Sequence, residues 1–251
     1  LQQAISLYQA GQLQQAEQIC QQILRDFPQH ADALHLLGVI ACQVEEYKIA
    51  TDLISQAVEI DSNQSRPQFT EMYNNLGNAL LGQGNLEESI QAYHQAIRIQ
   101  PDYADAYYNL GVALKEQGRL EESIEAYHQA IHIQPDYADA YNNLGVALQE
   151  QGRLEESVKA CHQAIHIQPD YADTYNNLGN ALLGQGRLEE SIKAYHQAIH
   201  IQPDYANTYS NLIFAQDFLL EIGFKEQQAE RQKWNQRFIL PLANSIQLHP
   251  N

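Results

Sequence analysis

Asn75, Asn109, Asn143, Asn177 and Asn211 recur at intervals of 34 residues. Each carboxamide offers one acceptor and two donors. Set in a row, five of them match the backbone groups of an extended polypeptide without reading its side chains. Four residues before each stands Glu71, Asp105, Asp139, Asp173 and then Asn207. That spacing is one helical turn, so the two rows share a face. The carboxylates could grip Thr, Ser or basic side chains of a bound chain. Plainer readings compete: the asparagines stabilise the repeat, and the acids merely favour a helix start. Asn is a mediocre helix former, so five in register ask for a reason. Leu36 takes the corresponding place in the repeat before, 39 residues earlier across an insertion, and the row stops there.

Histidine is the other repeated chemical group. Seven of ten lie at two places of the repeat: His94, His128, His132, His162, His166, His196 and His200. Pairs four apart, such as His128 with His132, could share a transition metal. No HExxH and no defined third ligand accompany them, so a solvated face copied by duplication is preferred and no metal or cofactor is expected. Cys20 and Cys161 share a repeat position that is usually Tyr, and read as core fillers. With Cys42 they make an odd count without a CxxC, which favours a reducing, cytoplasmic setting. No Gly-rich phosphate loop and no GxSxG is present, and no catalytic residue is assigned.

The net charge of −17 argues against nucleic acid or an anionic membrane surface as partner. No window approaches 18 consecutive apolar residues, so no membrane span is expected. Leu1 already lies inside a helical pattern and no initiator Met precedes it. The chain therefore reads as part of a longer protein.

The elements that must position these groups follow from the period. Residues 104–137 and 138–171 differ at five of 34 positions, and 172–205 differs from the second copy at six. A fixed period of this size is the mark of stacked repeats. Counting Ala104 as position 1, small or apolar residues recur at positions 4, 7, 8, 11, 17, 20, 24 and 27, which gives two amphipathic helices per repeat. Gly118 suits a left-handed end of the first helix. Glu121 and Glu122 open the second, and Pro135 stops it. Asp136 is expected to cap the next helix, with Asp139 completing a capping box. Gly111, Ser123 and Ala130 are small because the helices approach closely there. The repeats run 1–30 (lacking four positions), 31–64, 70–103, 104–137, 138–171 and 172–205, with an insertion at 65–69. In 31–64, Glu45 replaces the turn glycine. The insertion, Ser65–Phe69, is expected to be a longer loop and a flex point. Residues 206–251 form capping or connecting helices and a tail: one helix over Asn207–Leu220, another over Phe224–Leu240 with Ala229, Trp234 and Phe238 on one face, then an irregular Pro241–Asn251.

This pattern resembles the tetratricopeptide repeat family, with Tyr at position 4 (Tyr73, Tyr107, Tyr141, Tyr175, Tyr209) where Trp is usual, and Ser at position 20 where Ala is usual. The resemblance implies an all-α, right-handed superhelical solenoid of antiparallel helix pairs, with position 6 on its concave side. The tail, Tyr209–Ala215, Lys233–Phe238, Pro241–Ala243 and His249–Asn251, resembles the connecting segment of O-linked N-acetylglucosaminyltransferase-like (SPINDLY-like) proteins. In that family a repeat array leads into a nucleotide-sugar-dependent catalytic region, and an Asn ladder holds acceptor polypeptide. The expected role is therefore peptide binding by an acceptor-recognition array that is not itself an enzyme, its parent being a glycosyltransferase. The expected site is Asn75, Asn109, Asn143, Asn177 and Asn211 with Asp105, Asp139 and Asp173, and the expected partner is a polypeptide or acceptor protein. A general assembly scaffold with no attached enzyme is the alternative. A clamp for C-terminal carboxylates would need inner-face cations, and Lys115 is nearly alone there. Self-association through the ends or the tail helix stays open as a homo-oligomer reading.

Overall fold

The period becomes structure through one close contact repeated in each hairpin. In the computed structural model, which describes residues 1–60, 67–218 and 224–240, every described repeat is a pair of antiparallel helices. From the second repeat to the sixth, position 8 of the first helix is glycine, and position 24 of the second helix seats its side chain there; the first repeat has Ala4 instead. A Cβ on Gly111 would lie 2.6 Å from the Tyr127 ring, and one on Gly145 would lie 3.0 Å from Cys161 Sγ. Tyr93, Tyr127, Cys161 and Tyr195 are fully buried as a result. Serine at position 20 fastens the same crossing. Ser123, Ser157 and Ser191 donate to the carbonyls of Gly111, Gly145 and Gly179 at 2.7, 2.7 and 2.8 Å. Alanine has the size for this slot but not the hydroxyl, so the serines close an otherwise dry contact with a buried hydrogen bond.

The chain divides into two compact units, residues 1–135 and 136–251. The first holds α1 (Gln2–Gln9), α2 (Leu13–Asp26), α3 (Ala31–Gln43), α4 (Tyr47–Ile60), α5 (Pro67–Gly82), α6 (Leu86–Ile99), α7 (Ala104–Glu116) and α8 (Leu120–Ile133). The second holds α9 (Ala138–Glu150), α10 (Leu154–Ile167), α11 (Ala172–Gly184), α12 (Leu188–Ile201), α13 (Ala206–Asp217) and α14 (Phe224–Trp234), with a π-helical turn over Asn235–Ile239. Within each unit, a second helix packs against its own first helix and against the first helix that follows. The core is a strip between neighbours, with alanine at positions 10 and 27 fully buried (Ala113, Ala130, Ala147, Ala164).

The turn inside each hairpin is left-handed, as the glycine predicts: Gly118 has φ +79°, with Arg119 N–H bonded to the Leu114 carbonyl at 2.9 Å. Glu45 adopts the same conformation at φ +63° without glycine's freedom.

Three expectations are corrected. Asp136 does not cap α9. The helix begins at Ala138 with Tyr137 as its flanking residue, and no side chain caps it. Asp136 stands one residue too early to reach the first free N–H groups, and Asp139 is engaged elsewhere. The insertion is not a loop to its end. Pro67 opens α5, where its fixed φ suits a first helical turn, and Phe69 is fully buried against the repeat. The rest of the expected loop and flex point, residues 61–66, lies outside the described residues. Finally, Ala229 is exposed rather than aligned with the half-buried Trp234 and Phe238. The tail Pro241–Asn251 and residues 219–223 also lie outside the described residues.

Candidate peptide-binding face of the first helices

Positions 2, 6, 9 and 13 form one stripe along each first helix. On α11 these are exposed Asp173, half-buried Asn177 and Asn180, and exposed Gly184. On α7 they are Asp105, Asn109, Val112 and Glu116, with the same gradation of exposure. All five predicted asparagines are half-buried on this stripe, and Asp105, Asp139 and Asp173 are exposed beside them. Helical periodicity alone places them so: steps of four and three keep residues on one face.

The asparagines are held from behind. Asn109 Nδ2 donates to Asn74 Oδ1 at 3.0 Å in the first unit. In the second unit Asn177 donates to Asn142 and Asn211 to Asn176, each at 3.0 Å. Each rung therefore joins position 6 of one repeat to position 5 of the repeat before it. Asn74, Asn142 and Asn176 are buried, and Asn176 also accepts from Thr208 at 3.1 Å. The rungs satisfy polar groups that would otherwise be costly to bury. They also fix each outer amide in one orientation. Asn211 also donates to Asn180 Oδ1 at 3.2 Å, and the carbonyl oxygens remain for a ligand: among the described residues, the Asn109, Asn177 and Asn211 oxygens accept nothing.

At the amino-terminal end the acceptor changes chemistry. Asn75 Nδ2 meets His35 Nε2 at 3.0 Å. An amide nitrogen only donates, so Nε2 must be bare and the imidazole neutral. Burial enforces this, pushing the His35 pKa down to about 4 against a small opposing influence of Asp32. A groove of about 400 Å³ opens beside this rung, lined by Tyr8, Asp32, Leu36 and Glu71 among others.

The position-5 acceptors were missed by sequence reasoning. The signal was present as tandem pairs, Asn74-Asn75, Asn142-Asn143 and Asn176-Asn177. The first member of each pair turns toward the core and needs a partner.

The acids are partly committed too. Tyr171 donates to Asp139 Oδ1 at 2.7 Å, from position 34 to position 2 of one repeat. Tyr205 is pushed up to about 12 by burial and by its hydrogen bond to Asp173. These phenols hold the carboxylates in place on the outer stripe. At the carboxyl end the stripe changes to Asn207, Asn211, Phe214 and Phe218, and the two rings meet edge to face at 4.9 Å.

The remaining candidates carry less. The seven repeated histidines are exposed, and no group of three or more His, Cys, Asp or Glu among the described residues is placed to hold a metal. All three cysteines are free thiols. Burial pushes the Cys161 thiol up to about 12, and raises Cys20 and Cys42 as well, the opposite of nucleophile activation. No helix among the described residues is long and apolar enough to cross a membrane.

Family models described as tetratricopeptide or TPR repeat match residues 7–69, 77–118, 113–152 and 136–204. Over 94 residues, 38% of the chain, it is 32% identical to a probable UDP-N-acetylglucosamine–peptide N-acetylglucosaminyltransferase, SEC, of Arabidopsis thaliana. That stretch spans 9% of the plant protein's length. Among solved structures, MamA is similar at 26% identity and TM-score 0.59, covering 66% of this chain and 94% of MamA. The C-terminal part of a TPR repeat-containing protein from Cytophaga hutchinsonii matches at TM-score 0.73 and 14% identity, covering 94% of this chain and 95% of its own. YrrB, described as a TPR protein with an unusual peptide-binding site, matches at TM-score 0.61 and 20% identity, over 79% of this chain and 98% of YrrB. The last two likenesses concern the fold.

Proposed function

Because the chain belongs to the tetratricopeptide repeat family, we propose that it is the acceptor-recognition region of a larger O-linked glycosyltransferase, holding extended polypeptide on its Asn-lined face. On this reading residues 1–205 bind, residues 206–251 connect to the catalytic region, and the parent works in the cytoplasm on acceptor proteins. One observation carries it: Asn109, Asn177 and Asn211 are each pinned through Nδ2 to the repeat before, while their carbonyl oxygens accept nothing among the described residues. A ligand then loses little to ordering of the receptor. The exposed carboxylates Asp105, Asp139 and Asp173 add preference for hydroxyl or basic side chains.

The same rungs favour a second reading, a general assembly scaffold in which the asparagines only tie repeats together. Titration of a fluorescein-labelled Ser/Thr-rich extended peptide separates the two. Replacing Asn109, Asn143, Asn177 and Asn211 by Ala is expected to weaken binding by about tenfold or more. Replacing the buried Asn142 and Asn176 loses rungs yet keeps the outer amides, so it is expected to lower stability more than affinity. Equal affinity for wild type and the outer-amide variant would remove the recognition reading and leave the scaffold.

A further inference from the structure

The first two repeats depart from the later ones in a coordinated way, on the opposite side of the hairpins from the Asn stripe. Position 11 is Leu80, Leu114, Leu148 and Leu182 in the later copies but Ala41 here. Position 21 is Ile or Val later, but Glu17 in the first repeat. Both changes remove apolar volume between α2 and α3. At the rim the trend reverses. Position 14 is Gln in all four later copies and Val44 here, and position 19 is Glu in all four and Ile49 here. Core side chains shrink while surface ones become apolar.

The result is a groove of about 400 Å³ formed by Leu13, Leu37, Ile40, Val44, Ile49 and Leu53, with Glu17 and Glu46 at its edge. Val44 and Ile49 are 54% and 50% exposed. In the three copies from residue 104 on this rim is closed by polar chemistry: Arg119 bonds Glu122 at position 19 and Gln117 at position 14, and Arg153 and Arg187 do the same. Here Glu46 and Ile49 cannot make that pair. An exposed apolar groove with a charged edge is the signature of a docking surface rather than of a solvated face.

The chain also supplies an occupant of matching character. Residues 224–240 carry Lys225, Arg231, Lys233 and Arg237 against Glu226 and Glu230, a formal +2 in a chain of −17. Phe238 of this segment is packed on Tyr209, with ring centroids 5.6 Å apart. The residues that follow it, Ile239 and Leu240, are 41% and 52% exposed, next to exposed Arg237.

We propose that this groove receives the Arg237–Leu240 end of a second copy of the chain, with Ile239 and Leu240 entering the apolar floor and Arg237 meeting Glu17 or Glu46. The contact is heterologous, joining the carboxyl end of one copy to the amino-terminal repeats of the next, so it propagates rather than closing as a symmetric dimer. The patch is small and both copies are acidic, so association is weak and depends on concentration.

Sedimentation velocity of the chain from micromolar to sub-millimolar concentration tests this at fixed ionic strength. The expected result is a weight-average mass that climbs from 28.5 kDa past the dimer value without a plateau there. The double variant Val44→Gln with Ile49→Glu restores the residues of the later repeats, so it retains the fold. It is expected to weaken association by about tenfold or more, as is Ile239→Ser with Leu240→Ser. Arg237→Glu should weaken it, and adding Glu17→Lys with Glu46→Lys should restore it. A mass fixed at the monomer value throughout overturns the proposal. So does association unchanged in the groove variant, which would put the contact elsewhere, or unchanged in the Ile239/Leu240 variant, which would give the groove another occupant.

Discussion

The hairpin of residues 31–60 and the hairpin of residues 172–201 have the same build and share little surface. Gly38 faces Ile54 in the first as Gly179 faces Tyr195 in the second, and both turns are left-handed. Yet the first offers His35 and Leu36 where the second offers Asn176 and Asn177, and Val44 and Ile49 where the second has Gln185 and Glu190. The difference shows that two contacts suffice for the hairpin: a side chain seated on a glycine, and a left-handed turn. Everything on the two outer faces is left for other uses.

The sharpest attempt to break this comparison is at the glycine seat. Gly111→Ala drives a methyl into the rigid, buried Tyr127 ring and is expected to cost about 1–3 kcal/mol. Gly145→Ala meets only the Cys161 Sγ at 3.0 Å, and gains about 1 kcal/mol of helix propensity, so it is expected to be near neutral. Urea unfolding of the two variants decides; equal losses would mean that the seat is not set by the side chain at position 24.

Next in size is the rung. Asn176→Leu leaves the buried Thr208 hydroxyl without its acceptor and the Asn211 amide with Asn180 alone, and is expected to cost about 1–3 kcal/mol in the same assay. The His35 rung behaves differently because it titrates. Its pKa is depressed when folded, so the unfolded state binds the proton first as pH falls. Stability from this group is complete above the unfolded value of about 6.5 and is lost on descending toward about 4. Melting temperature followed across that window should fall in the wild type. In His35→Gln, which keeps an acceptor without a proton-binding site, this component should vanish, leaving only the carboxylate contribution.

The turn gives a smaller and signed test. Glu45→Gly relieves a left-handed non-glycine residue and should stabilise by about 1 kcal/mol, whereas Gly118→Ala should destabilise by about as much. Smallest of all, Arg153→Ala removes an exposed ion pair of 2.6 Å and should leave the melting temperature unchanged within error.

Much of this architecture was legible before any coordinates. The period fixed the hairpins, and Gly118 marked the turn because a left-handed residue is what glycine supplies best. The outer row of asparagines followed from the same arithmetic. What escaped was one residue away. A step along a helix rotates a side chain by about 100°, so Asn176 turns inward to accept a rung while Asn177 lies on the outer stripe, and a pattern of residue types does not say which is which. His35 escaped for a chemical reason: a neutral imidazole replaces a carboxamide as acceptor only when burial removes its proton. Asp136 misled because caps depend on a boundary placed within one residue. Phe69 misled because an insertion counted as loop contained an apolar residue with a buried place to go.

The rung has a consequence for how such a chain can change over time. Every later hairpin bears a hook at its sixth residue, and most bear an eye at the fifth, so the joint between neighbours is written entirely inside the duplicated unit. Recombination that adds or deletes hairpins bearing both residues therefore produces joints already fitted at birth. Length becomes a quantity adjustable in 34-residue increments, with no compensating mutation required at the new seam.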